Sequence, residues 1–160
     1  MTRIIGIDPG LANAGWGVLE KRENKFHYIA HGSIKTDAGL PAPFRLKKIF
    51  TEIQSIISEY QPEEASVETL YFAKNVKTAL PVAEARGVLI LGLMMSNVIV
   101  SEYTPLQIKQ AVVGNGHADK NQVQQMVKLL LSLKDIPRPD HASDALAAAI
   151  CHANMRVINV

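Results

Sequence analysis

Three carboxylates stand where their neighbours call for burial. Asp8 closes the apolar run Arg3-Ile4-Ile5-Gly6-Ile7, Glu68 follows Ala65-Ser66-Val67, and Asp144 lies in the otherwise apolar stretch Ala142 to Ala153. An ionised carboxylate in such a setting is costly unless it is paired or bound to a metal. Several carboxylate oxygens together suit Mg²⁺ or Mn²⁺. Two such ions can activate a water and stabilise the leaving oxygen of a phosphodiester. Each residue also has an ordinary role. Asp8 precedes the turn signal Pro9-Gly10, Glu68 could end a strand at the surface, and Asp144 could pair with Arg138 or Lys134. The combination favours a metal site, because strand ends and a late helix can converge on one edge of a sheet.

A fourth candidate sits just before Asp144. His141 is three residues away and Asp140 four, so either shares a helix face with it. Spacing does not choose between them. Asp140 is also well suited to cap the helix, accepting from the free backbone N–H groups of its first turn. A further cluster, Lys74, Asn75 and Lys77, follows Tyr71 and Phe72. Aromatics stack on bases and lysines hold phosphates, although Tyr71 and Phe72 also suit a core position at a strand end.

The elements that must position these residues are legible as changes of period. Arg3–Asp8, Gly15–Glu20 and Phe26–Ala30 read as three short strands in a meander. From Pro41 to Tyr60, Phe44, Leu46, Ile49, Phe50, Ile53, Ile56 and Ile57 recur at helical steps, and Pro62 ends the run. Ala65–Glu68 is a fourth strand, Val76–Asn97 a long helix and Val98–Val100 a fifth strand. Pro105 starts another helix. Asp119 caps one running to Leu133, with Val123, Met126, Val127, Leu130 and Leu131 on its apolar face. Asp140–Arg156 is the last helix. The order βββαβαβ followed by helices implies a mixed sheet with helices packed on it.

At 160 residues the chain predicts one domain, residues 1–160. A 48% hydrophobic and 20% charged composition excludes a disordered chain. The net charge of +2 does not announce a nucleic-acid binder, so any DNA contact must come from a local basic surface. The single cysteine, Cys151, permits no intrachain disulfide, which suits a reducing cytosol. It is expected as a small core residue. Met1–Asp8 lacks the pattern of a signal peptide. The most apolar stretch, Gly87–Val100, is shorter than the roughly 18–20 residues of a spanning helix, so no membrane partner is expected. From Val88 to Met95 only Gly92 is not strongly apolar, and a helix apolar all round is buried on all sides. One side would meet the sheet and the other either a second copy of the chain or the chain's own last helices. The Gly114-x-Gly116 loop lacks the spacing of a phosphate-cradling loop.

Taken in order, a longer series emerges: Ile5-Gly6-Ile7-Asp8-Pro9-Gly10-Leu11, Glu68, Ala73-Lys74-Asn75, Ala85-Arg86-Gly87, Tyr103-Thr104-Pro105 with Lys109, Gly114-Asn115-Gly116 with Lys120, and His141-Ala142-Ser143-Asp144-Ala145-Leu146. Each piece is weak alone. The ordered set resembles the RuvC-type Holliday-junction resolvases over nearly the whole chain. The resemblance implies an α/β fold of the RNase-H-like type, with a mixed five-stranded sheet flanked by helices. It implies a homodimer that makes paired symmetric nicks across a four-way DNA junction in recombination and repair. Mg²⁺ or Mn²⁺, products with 5′-phosphate and 3′-hydroxyl ends, and work beside a RuvA–RuvB branch-migration complex in the cytoplasm are implied too.

Residue by residue, the resemblance makes Asp8, Glu68, His141 and Asp144 catalytic metal ligands. His141 falls where many members carry aspartate and some histidine, which raises Mn²⁺ as a preferred or tolerated ion. Thr69 replaces the family's usual glutamine. Tyr71 matches an aromatic near the junction centre. Lys109 and Lys120 match basic positions near DNA phosphates or the active site, and Lys74, Asn75 and Lys77 complete the DNA-binding set.

Rival readings remain at this level. An actin-like or sugar-kinase ATPase half shares a glycine-flanked aspartate after a strand, but 160 residues are short for its second domain. A small RNA-processing nuclease of the same fold and a junction-binding scaffold without cleavage are the others.

Overall fold

The computed structural model describes residues 1–70 and 76–156. Its strands are β1 (Thr2–Asp8), β2 (Asn13–Arg22), β3 (Lys25–Lys35), β4 (Glu64–Glu68) and β5 (Ile99–Tyr103). Its helices are α1 (Ala42–Tyr60), α2 (Val76–Met95), α3 (Pro105–Val113), α4 (Lys120–Leu130) and α5 (Asp140–Met155). The strands form one sheet in the order β3-β2-β1-β4-β5. β1 and β2, and β2 and β3, run antiparallel; β1 and β4, and β4 and β5, run parallel. The expected mixed five-stranded sheet is therefore present.

Side chains alternate across a strand, and the two faces carry separate cores. Ile5, Ile7, Val18, Ala65 and Val67 face α1 and α2, meeting Ile49, Ile53, Leu89 and Leu93. Ile4 and Leu19 face α3, α4 and α5, meeting Leu146 and Ile150. β1 is central and covered on both sides, which is why Ile4-Ile5-Gly6-Ile7 reads as an unbroken apolar run.

Several bounds differ from the sequence reading. β3 continues through His31-Gly32-Ser33 to Lys35, because its ladder to β2 holds polar residues that carry no strand signal. β5 starts at Ile99 and runs through Ser101 and Glu102 to Tyr103; as an edge strand it needs little apolar content. Asn97, at φ 60°, turns the chain between α2 and β5. Phe44 lies on α1 but is 63% exposed, so the packed stripe is Ile49, Ile53 and Ile57. α4 stops at Leu130.

α5 is the most deeply buried helix. Eleven of its residues are inaccessible, including Cys151, whose thiol burial pushes up to about 12. α2 behaves differently. It packs on α1, and the last three helices occupy the opposite face of the sheet, so they do not cover it. Leu80, Leu91, Met94 and Met95 on its outer side are all more than half exposed.

Candidate active site

Parallel pairing sets the first two acids side by side. Ile7 of β1 is in register with Val67 of β4, so the next residues, Asp8 and Glu68, end neighbouring strands at the same level. Alternation directs both toward the α5 face, since Ile5, Ile7 and Val67 point the other way.

The other two candidates arrive on α5, and glycines allow it. A Cβ at Gly6 would fall on the Ala145 carbonyl oxygen, and one at Gly15 on the His141 carbonyl oxygen. The backbone of α5 therefore lies directly on β1 and β2, and its first turn sits over Asp8. Sequence reasoning did not assign a role to these glycines. The available signal was glycine inside a strand, which marks a close approach of another backbone.

His141 Nδ1 is 2.9 Å from Asp8 Oδ2. One ligand atom each from Asp8, His141 and Asp144 lies within 4.8 Å of the others. Glu68 and Asp144 line an adjoining cleft of 260 Å³ with Lys109 and Lys120, over an apolar wall of Pro105, Ile108, Val123 and Ala147. The four expected ligands are thus brought to one end of the sheet from three separate elements.

Asp140 goes elsewhere. Pro139, not Asp140, is the N-cap of α5, and no side chain caps the helix. Asp140 occupies the first turn and pairs with Arg138 and with Lys120 Nζ at 3.5 Å. The expected capping role is corrected: once Pro139 takes the cap position, the Asp140 carboxylate turns toward nearby cations. Asp144 pairs with Lys120 at 3.5 Å rather than with Arg138 or Lys134. Lys120 opens α4 directly after Asp119, whose side chain accepts from Gln122 N–H in a capping box, as expected.

The charges at this site are strained in a consistent direction. Burial pushes Glu68 up to about 7, helped by Asp8 and Asp144 and opposed by Lys109 and Lys120. Burial also raises Asp8, with the His141 hydrogen bond acting against it. Burial raises Asp144, against the pull of Lys120. For Lys120, desolvation acts downward, but Asp144 and Asp140 outweigh it and raise the ammonium. Three carboxylates that resist ionising together are short of positive charge.

Of the expected DNA-contacting residues, Tyr71, Lys74 and Asn75 lie outside the described residues. Lys77 is exposed on the first turn of α2. Lys109 on α3 and Lys120 on α4 flank the cleft.

A family model, Crossover junction endodeoxyribonuclease RuvC, matches residues 4–152, a span that holds all four candidate ligands. The chain belongs to the RuvC family. It is 54% identical over 154 residues to the RuvC of Brevibacillus brevis strain 47, covering 96% of this chain and 93% of that one. Among solved structures it is similar to T. thermophilus RuvC in complex with Holliday junction substrate, with a TM-score of 0.91 and 35% identity. That superposition covers 96% of this chain and 94% of the other. A yeast mitochondrial Holliday junction resolvase shares the fold at 14% identity and a TM-score of 0.68 over 94% of this chain and 77% of that one. Membership of the RuvC family fits an RNase-H-like endodeoxyribonuclease and removes the case for an ATPase half.

Proposed function

We propose that this RuvC-family chain is a single nuclease domain that resolves four-way DNA junctions by paired symmetric nicks, in recombination and repair. The observation that carries the reading is the convergence of Asp8, Glu68, His141 and Asp144 at the end of two adjacent parallel strands, beside a lysine-flanked cleft. The likeness to a RuvC solved in complex with Holliday junction substrate supports the substrate.

Asp8, Glu68, His141 and Asp144 are read as ligands of a divalent cation. The donors fit one: Asp8, His141 and Asp144 offer carboxylate oxygens and an imidazole within 4.8 Å of one another, Glu68 stands beside them at the end of β4 along the adjoining cleft, and burial drives the carboxylates away from their charged state. Mg²⁺ is the expected ion, and the imidazole favours Mn²⁺ as an alternative. When bound, the cation supplies activation of the attacking water and stabilisation of the leaving oxygen, giving 5′-phosphate and 3′-hydroxyl ends. Lys120 holds Asp144 and Asp140 in place, while Lys109 and Lys120 draw the scissile phosphate into the cleft. Tyr71, Lys74, Asn75 and Lys77 are read as the junction-binding group.

Two cuts related by symmetry ask for two active sites, and the outer side of α2 supports a homodimer. Leu80, Leu91, Met94 and Met95 form an exposed apolar face there. Gly87 lies in the same stripe, and a Cβ on it would meet nothing within 4 Å, so a second helix can approach closely. By length and mean hydropathy alone α2 would also suffice to cross a membrane. Its inner side is committed to the sheet through Ala85, Leu89 and Leu93, so a second copy is the better partner. A RuvA–RuvB complex acting alongside, in the cytoplasm, completes the reading.

The test is cleavage of a synthetic four-way junction against a linear duplex of the same sequence, with Mg²⁺, Mn²⁺ or chelator, and with structured RNA as competitor. Selective, cation-dependent paired nicking of the junction is expected. Cleavage of RNA in preference, or binding without cleavage in either metal, overturns the reading in favour of an RNA nuclease or a scaffold.

A further inference from the structure

Arg86 is unusual on α2. Its neighbours on that helix are apolar or face solvent, yet its guanidinium reaches back to the sheet, with only 21% of the side chain exposed. Nε donates to the main-chain carbonyl of Glu68 at 3.3 Å. Nη2 donates to the carboxylate of Glu102 on β5. On the ladder side, Thr69 N–H donates to the Tyr103 carbonyl at 2.9 Å. The end of β4 is therefore held from two directions just where the strand stops.

Glu102 alternates with Tyr103 and points to the α2 face, whereas the Glu68 carboxylate points to the α5 face. Arg86 thus sits on the far side of the sheet from the clustered acids and touches Glu68 only through its backbone. A guanidinium is a planar fork that serves a carbonyl and a carboxylate at once, which a lysine ammonium on a flexible stem does not do in fixed geometry.

We infer that Arg86 is a positioning residue: by clamping the Glu68 carbonyl to Glu102, it fixes the direction in which the Glu68 carboxylate leaves the strand. The inference rests on the reading of Glu68 as a metal ligand. Loss of an outer partner of a ligand costs about 10- to 100-fold in metal affinity or rate.

The experiment compares Arg86→Gln, Arg86→Lys and Glu102→Gln with the parent and with Glu68→Gln. Mn²⁺ affinity is measured by calorimetry without DNA, junction affinity by gel shift in chelator, turnover in Mg²⁺, oligomeric state by sedimentation, and melting without metal. Arg86→Gln is expected to weaken Mn²⁺ binding and lower kcat by roughly 10- to 100-fold. Junction affinity and oligomeric state should stay at parent values, and raised Mn²⁺ should recover part of the rate. Arg86→Lys and Glu102→Gln should each fall between that variant and the parent. Parent-like Mn²⁺ affinity and kcat in Arg86→Gln and Glu102→Gln overturn the inference. So does a loss of rate that follows only dissociation of the oligomer or a fall in melting temperature. If instead Glu68→Gln itself binds Mn²⁺ and cleaves normally, the ligand reading fails, a result distinct from failure of the clamp.

Discussion

The His141 imidazole faces the Asp8 carboxylate at 2.9 Å across 133 residues of sequence, joining the last helix to the first strand. Asp140, one residue earlier, turns to Lys120 and Arg138 instead. Replacing His141 with Asp should therefore preserve cleavage and shift the metal preference from Mn²⁺ toward Mg²⁺. Asp140→Asn should change stability little, because exposed ion pairs are screened by solvent, and leave the rate near the parent's. Initial rates in each metal check both. An inactive Asp140→Asn beside an active His141→Ala would falsify the ligand choice.

Asp8→Asn and Glu68→Gln should each lower cleavage at least about 100-fold while junction binding persists, because the lysines that hold phosphate are untouched. Gel shifts and cleavage time courses on the same preparations separate the two effects. Near-parent cleavage by either variant removes that residue from the metal site.

Metal-free stability should fall as pH rises from about 4.5 to about 7. Glu68 keeps its proton in the folded chain up to about 7, against an ordinary value of 4.5. In that window the unfolded chain binds fewer protons than the folded one, so alkalinity favours unfolding. Asp8 and Asp144, raised mainly by burial, act in the same sense. The Glu68 contribution is about 2 kcal/mol after discounting for partial solvent access. Melting curves in chelator between pH 5 and 8 should show the decline, and Glu68→Gln should flatten it. Calorimetry in buffers of different ionisation heat should find proton release on metal binding at pH 6 and little at pH 8. A pH-independent melting temperature with no proton release defeats this account.

Gly15→Ala should destabilise by about 3 kcal/mol, since overpacking against a rigid neighbour costs that order. Its new methyl would press on the His141 carbonyl. Activity should fall further than stability, because the displaced atom belongs to a ligand residue. Melting and rate at a temperature well below the transition give the comparison. An unchanged rate would mean the start of α5 can shift without moving the site.

The acids were legible in the sequence because they break apolar runs, and the helices because their period is strong. What was not legible depends on tertiary contact. Gly6 and Gly15 read as weak strand residues until α5 lies on them. Arg86 reads as a charge on an apolar helix until β4 and β5 stand behind it. Asp140 looked like a cap because local spacing takes no account of the preceding Pro139 or of Lys120 on another helix. Ser101 and Glu102 hid the end of β5, since an edge strand has no second sheet neighbour to demand apolar residues.

The homodimer proposed through α2 predicts that Leu91→Glu converts dimers to monomers with little loss of monomer fold, because Leu91 is 53% exposed on that helix. Single-strand nicking should survive better than paired cleavage. Sedimentation and a supercoiled cruciform substrate, which distinguishes nicked from linear product, provide the check. A variant that remains dimeric places the interface elsewhere.

The seating of α5 on Gly6 and Gly15 decides where this protein can be redesigned. At these two glycines the gap between helix and sheet is set by main chain against main chain, with no side chain in between to swell, shrink or change rotamer. The far layer, with Ile49, Ile53, Leu89 and Leu93, has no part in that seating, so substitutions aimed at heat resistance belong there rather than beneath α5. The cost of that insulation is rigidity: the two strand glycines are places where drift in sequence has almost nowhere to go.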